Sequence, residues 1–151
     1  MKIDEIDAKL LTALTEDSSI SVPKLSKKIM VNPSVCYSRI KRLVRRGLIK
    51  KFTIVANEEL LGYGVTALVG LNTEGKKRED ILKSIASLPE AREIGEVTGR
   101  FDIMVTVKAR SLDDLHNIVT GKIGNIDGVN RSETFIELKT QQKEHRFEEL
   151  A

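Results

Sequence analysis

The sequence predicts an α+β protein in two parts. An N-terminal winged helix-turn-helix domain spans residues 1–56, and a C-terminal ferredoxin-like β-α-β-β-α-β domain spans residues 65–151. Three observations carry this. Apolar residues recur at helical spacing three times before residue 47, each time behind a capping residue. After residue 65, β-branched runs alternate with helical ones. Between the two parts the charge changes sign: residues 1–56 carry 12 Lys/Arg against 5 Asp/Glu, a net of +7, and residues 57–151 carry 13 against 17, a net of −4. No acidic residue occurs between Asp17 and Glu58, while ten basic ones do. A solvated basic face is the bland account of that gap, and a polyanion partner the sharper one.

The first helix follows from Ile3, Ile6, Leu10, Leu11 and Leu14, with Asp4 as N-cap and Asp7 three residues on. Asp17-Ser18-Ser19 breaks it. Ser21 caps a second, short helix that turns Leu25 and Ile29 inward and Lys24, Lys27 and Lys28 outward. Met30 and Val31 make a brief turn.

The third helix, within residues 32–47, is marked at both ends. Asn32 is a suitable N-cap, Pro33 fits the first helical position, and Gly47 is the natural residue just past the end. Winding at about 100° per residue places Cys36, Ile40, Leu43 and Val44 on one face. Ser34, Ser38, Lys41, Arg42 and Arg45 fall on the other, which carries no acid. A small, polar, cationic helix face behind a short helix and a turn suits the DNA major groove. The following residues, with Phe52, Thr53, Ile54 and Val55, predict a linker strand over 49–56, a wing from which Lys50 and Lys51 reach phosphates. Residues 57–64 hold two glycines and no long periodic pattern, and read as a hinge.

In the second part, strands are expected over 65–72, 91–98, 101–109 and 129–140, and helices over 78–88 and from Ser111 to about Ile123. The second helix has a Ser111/Asp114 capping box and Leu112, Leu115, Val119 and Ile123 on its inner face. Helices on one side of the sheet leave its other face to be covered, and self-association would cover it. The polar tail after Lys143 is expected to fray unless something docks it.

Hydrophobic content of 40% and charged content of 31% indicate a folded, water-soluble protein. No apolar run approaches the ~18 residues that span a bilayer. Residues 1–7 are polar and acidic and unlike a secretory signal, and the single cysteine forms no internal disulfide, so a cytoplasmic location is expected. No constellation for catalysis, metal or cofactor is visible: His116 and His145 are isolated, no Gly-rich phosphate loop occurs, and Cys36 falls on an inner helix face. No enzymatic activity, metal or cofactor is expected. One stretch, Glu96-Val97-Thr98-Gly99-Arg100-Phe101-Asp102, reads either as a plain polar hairpin or as a site for a small zwitterion. In the second account backbone groups, Arg100 and Asp102 meet the carboxylate and ammonium of an amino acid, with the Ser132 and Thr134 hydroxyls nearby.

These motifs together resemble the Lrp/AsnC (feast/famine) transcriptional regulators of bacteria and archaea, in their archaeal form. The likeness spans residues 3–139 and rests on order and spacing: Ile3-Asp4-Glu5-Ile6-Asp7, Asn32-Pro33 with Arg39-Ile40-Lys41-Arg42-Leu43, Gly47-Leu48-Ile49-Lys50, Thr98-Gly99-Arg100-Phe101-Asp102, and Gly128-Val129. The resemblance implies a sequence-specific DNA-binding regulator, dimeric and assembling further, commonly into octamers. An amino acid bound between sensing domains of adjacent dimers would alter assembly or DNA affinity. DNA contacts would come from Ser34, Ser38, Lys41, Arg42 and Arg45, with Lys24, Lys27, Lys28, Lys50 and Lys51 on phosphates. The ligand would meet Thr98, Gly99, Arg100 and Asp102, His116 and Thr120, and Ser132 and Thr134. Arg100 stands where relatives are often acidic and Thr120 is uncharged. Both disfavour a cationic ligand and favour a neutral polar amino acid such as glutamine. Val44-Arg45-Arg46, where relatives are often acidic, adds nonspecific attraction to phosphate. Two other classes compete. An RNA-binding β-α-β-β-α-β module would need stacking aromatics on its central strands, where only Phe101 is on offer. An amino-acid-sensing adaptor for protein partners would leave the acid-free stretch unexplained.

Overall fold

Asp4 opens the first helix with a reciprocal capping box. Its carboxylate accepts the Asp7 N–H at 2.9 Å, and the Asp7 carboxylate accepts the Asp4 N–H at 3.3 Å. In the computed structural model, which describes residues 1–151, this gives α1 (Glu5–Glu16). Ser21 caps α2 (Val22–Ile29), and Asn32 with Pro33 opens α3 (Pro33–Arg45). The turn between α2 and α3 places Met30 in the left-handed region, at φ 55°. At the far end of α3, Gly47 takes φ +77°. Its N–H donates to the Val44 carbonyl and that of Leu48 to the Leu43 carbonyl, both at 3.0 Å. That is the Schellman arrangement, which a residue with a Cβ enters only under strain. Leu10, Ala13, Leu25, Ile29 and Cys36 form the core of the three helices, with Ile6, Leu14 and Ile40 packed against it. Val44, expected on the inner face, is 43% exposed.

Residues 49–56 correct an expectation. They form no strand, and Phe52, Ile54 and Val55 stand exposed. Their β-branched content favours a pleated, half-buried surface, but a strand also needs a neighbour for its N–H and C=O groups, and no strand of the chain lies beside this one. Between these residues and the end of α1 runs a groove of about 740 Å3, lined by Leu11, Leu14, Phe52, Val55 and Phe147 among others. The end of the tail is docked. Phe147–Leu150 forms a turn of 3₁₀ helix against α1, where the Phe147 N–H donates to Thr12 Oγ1 at 3.0 Å and the Thr12 hydroxyl donates to Glu148 at 2.5 Å. The chain thus divides into two units, residues 1–55 with 141–151, and residues 56–140.

The second unit begins with one 3₁₀ turn, Glu58–Leu61, inside the segment expected as a hinge. Its sheet consists of β1 (Val65–Thr73), β2 (Ala91–Glu96), β3 (Ile103–Ala109) and β4 (Val129–Ile136), all antiparallel in the order β2-β3-β1-β4. Between strands run α4 (Arg78–Ala86) and α5 (Leu112–Asn117), the latter continued by a π-helical turn, Ile118–Ile123. The register pairs Val69 with Val105 and Leu71 with Ile103 on the face that meets Ile81, Ile85, Leu115, Ile118 and Ile123. The Ser111 hydroxyl accepts the Asp114 N–H, but the Asp114 carboxylate takes its return bond from the Arg110 N–H. Leu112, expected inside, is 61% exposed.

The opposite sheet face is open. The same register turns Leu68, Gly70, Met104 and Phe135 to it. Phe101 lies directly over Gly70, where a Cβ would come within 2.6 Å of its ring, so only glycine permits the contact. The Phe101 and Phe135 rings meet edge to face, with centroids 6.2 Å apart.

Candidate nucleic-acid interface and ligand-binding hairpin

The outward face of α3 is built by local bonds and by one long-range charge cluster. Asn32 Oδ1 accepts both the Ser34 N–H, at 2.9 Å, and the Ser34 hydroxyl, at 2.8 Å. The Ser38 hydroxyl donates to the Val35 carbonyl at 3.1 Å. Lys41 stands over the Tyr37 ring, 5.2 Å from its centroid. Ser34, Ser38, Lys41 and Arg45 are exposed, as are Lys24, Lys27 and Lys28 on α2 and Lys50 and Lys51 beyond α3. Lys28 is paired with Glu16 at 2.5 Å.

Arg42 departs from the sequence expectation. Its Nη2 donates to both oxygens of Asp7, at 2.7 and 2.6 Å, and the Asp7 side chain is buried. Arg39 donates to Asp7 at 3.1 Å and to Asp4 as well. Four charges thus clamp α3 to the start of α1. Helical winding directs Arg42 outward, but a buried carboxylate needs a countercharge, and this one draws the guanidinium back. The Arg39 guanidinium, first, and the Asp7 N–H hold the Asp4 carboxyl below its usual value, and Arg39 is itself raised by Asp4. The sequence reading took Asp4 and Asp7 only as caps. The available signal was the matched spacing, two acids three residues apart and two arginines three residues apart. Burial pushes the Cys36 thiol up, so it remains a protonated core residue.

In the second unit the hairpin after β2 turns at Gly99, at φ +105°. The Val97 N–H donates to the Asp102 carbonyl at 3.0 Å, and the Asp102 N–H reaches the Leu71 carbonyl at 2.8 Å. Asn72 holds the Arg100 carbonyl at 2.7 Å. The Asp102 carboxylate accepts the Thr73 N–H at 2.8 Å and pairs with Arg78 at 3.3 Å. It is therefore a brace between the hairpin and β1 rather than a free acceptor, and Asn72, Thr73 and Arg78 are partners the sequence reading missed. Thr98, Gly99 and Arg100 are exposed. His116 and Thr120 are exposed too, one helical turn apart, with the Thr120 hydroxyl donating to the His116 carbonyl at 2.7 Å. Ser132 and Thr134 pair with Leu71 and Val69, which puts them on the helix side of edge strand β4, and both are exposed. On β3, the open face presents Met104, Thr106 and Lys108, without an aromatic ring for stacking. No helix is long and apolar enough to cross a membrane.

Comparison with known proteins agrees with both halves. Residues 3–44 match the AsnC-type helix-turn-helix domain, and residues 66–146 match the Lrp/AsnC ligand binding domain. The chain is similar to an uncharacterised helix-turn-helix transcriptional regulator of Pyrococcus furiosus, at 37% identity over 98% of this chain and 99% of that one. It is similar also to the transcriptional regulator AzlB of Bacillus subtilis, at 36% identity over 93% and 92%. Among solved structures, AsnC of E. coli superimposes with a TM-score of 0.87 at 28% identity, over 95% of this chain and 97% of that one. A Neisseria meningitidis transcriptional regulator in complex with L-Met reaches a TM-score of 0.90 at 22% identity, over 96% of each chain, a likeness of fold. With a helix-turn-helix unit and a ligand-binding unit matched in the order in which they fold here, the chain belongs to the Lrp/AsnC family of DNA-binding transcriptional regulators, which are not enzymes.

Proposed function

We propose that the protein is a cytoplasmic, sequence-specific regulator that binds DNA as a homodimer or higher assembly, up to an octamer. A neutral amino acid, with glutamine the first candidate, binds between sensing domains and changes assembly or DNA affinity. The observation that carries this reading is the separation of two chemistries. The unpaired cations Lys24, Lys27, Lys41, Arg45, Lys50 and Lys51 stand exposed on the first unit, whereas all eight residues of the ligand set belong to the second. Of those eight, only Asp102 is withdrawn from solvent, which fits a site that a second copy completes. The open sheet face with Leu68, Met104 and Phe135, and the unpartnered residues 49–56, supply apolar surface and strand edge for that second copy. The two α3 helices of a dimer would then meet half-sites about 34 Å apart. Ser34 and Ser38 permit close approach, Lys24, Lys27, Lys50 and Lys51 meet phosphates, and Arg42 holds α3 in place.

Calorimetry against each of the twenty amino acids, with light scattering on the same samples, tests the proposal. A neutral amino acid should bind and shift the assembly state. In Asp102→Ala, which frees the hairpin from its brace on β1, that response should be lost while DNA binding persists. Absence of binding by any of the twenty, or full binding by Asp102→Ala, refutes the ligand assignment. DNA affinity that does not fall with added salt refutes the phosphate contacts.

A further inference from the structure

Most of the polar groups on α3 are already engaged. The Ser34 hydroxyl is bound to Asn32, and that of Ser38 to the Val35 carbonyl. Arg39 and Arg42 are held by Asp4 and Asp7. Arg45 lies in the last turn, next to the C-cap Arg46. Ahead of the last turn of the helix, the side chains long enough to project and not bound elsewhere are Tyr37 and Lys41. They lie four residues apart on one face, with Lys41 Nζ 5.2 Å from the Tyr37 ring centroid. Tyr37 is 56% exposed, the largest side chain on that face. An aromatic ring flanked by two serines, whose small side chains let a duplex edge approach it, is placed for apolar contact with a base. The cation above it is restrained by the ring face.

We infer that Tyr37 determines specificity by packing its ring against the 5-methyl group of a thymine in the major groove, with Lys41 directed to the O6 and N7 acceptors of a neighbouring guanine. The methyl group is what distinguishes thymine in that groove, and an apolar side chain reads it. A phosphate contact would not need the ring. The inference rests on α3 being the reading helix of the regulator proposed above.

The test uses the full-length protein and a pool of random DNA duplexes from which its preferred sequence is selected. Each thymine of the selected duplex is then replaced in turn by uracil, which removes only the methyl group. The wild type should lose about three- to tenfold in affinity at one thymine per half-site. Tyr37→Phe, which keeps the ring, should lose the same factor. Tyr37→Ala should bind the thymine and uracil duplexes within about twofold of each other, with a salt dependence equal to that of the wild type. A methyl penalty that persists in Tyr37→Ala overturns the inference. So does a wild type that tolerates uracil at every thymine, a measurement that needs no variant to fold. A wild type that enriches no sequence at all refutes instead the underlying assignment of α3 as a sequence reader.

Discussion

Replacing Arg42 by alanine separates a strut from a reader. The Asp7 side chain is 2% exposed and accepts two bonds from the Arg42 guanidinium, at 2.7 and 2.6 Å, and one from Arg39 at 3.1 Å. Each charge-assisted bond to a buried carboxylate contributes about 1.5–3 kcal/mol, so two lost in a dry site would cost about 3–6 kcal/mol. Here the site is not dry after truncation. Arg42's own side chain is 34% exposed, so water follows the missing guanidinium, and Arg39 stays behind as countercharge. The expected loss is therefore about 2–3 kcal/mol. Asp7→Asn should cost a similar amount. The double variant should cost less than the sum of the two, with a coupling of about 1.5–2.5 kcal/mol. Urea unfolding of the full-length protein, followed by circular dichroism, reads these values, and DNA affinity is measured where every variant is folded. There the Arg42→Ala protein should bind within about threefold of the wild type, since no base contact has been removed. Stability within about 0.5 kcal/mol of the wild type together with a large loss of DNA affinity would refute the strut and return Arg42 to the DNA.

Two further outcomes follow from the same contacts. Asp4, held below its usual value chiefly by Arg39, stabilises the fold above the unfolded carboxylate value near pH 4, and that contribution is lost as pH falls through the lower folded value. The melting temperature of the wild type should therefore exceed that of Asp4→Asn at pH 7, with the gap closing as the pH falls through the lowered folded value; a gap independent of pH would count against the ion pair. Gly70→Ala drives a Cβ to within 2.6 Å of the Phe101 ring and should cost about 1–3 kcal/mol while displacing that ring from the open face, so sedimentation should show a weaker assembly; unchanged stability and assembly would mean that Phe101 is not fixed there.

What the sequence made legible was local. The caps of α1, α2 and α3 are set by residues within three positions of one another, and Asp4, Ser21, Asn32, Pro33 and Gly47 act where their types predict. The β-α-β-β-α-β order was legible for the same reason, since each strand and helix is bounded by its own turn residues. What escaped the reading depends on partners far along the chain. Arg42 lies on the polar side of a helical wheel, yet a carboxylate 35 residues earlier claims it. Asp102 looks like a free acceptor in a turn until β1 brings the Thr73 N–H beside it. The tail finds Thr12 from 135 residues away. Residues 49–56 have strand composition, but composition does not supply the neighbouring strand that would complete it.

If α3 is the reading helix, the clamp on Arg39 and Arg42 also divides the labour of DNA recognition. Of the ten basic residues between Asp17 and Glu58, these two are consumed by Asp4 and Asp7, and Lys28 is tied to Glu16. The remaining cations, apart from Lys41, lie on α2, at the end of α3 and beyond it, at positions that suit the phosphate backbone rather than base edges. Affinity from such contacts is insensitive to sequence and sensitive to salt. On the proposed reading, discrimination among sequences falls to the few side chains ahead of the last turn of α3 that no internal bond engages. A helix whose arginines serve its own anchoring gains a fixed position, and its neighbours Tyr37 and Lys41 gain a fixed place from which to read. The cationic appearance of α3 in the sequence thus overstates how many of its charges are left unpaired and understates how firmly the helix is held.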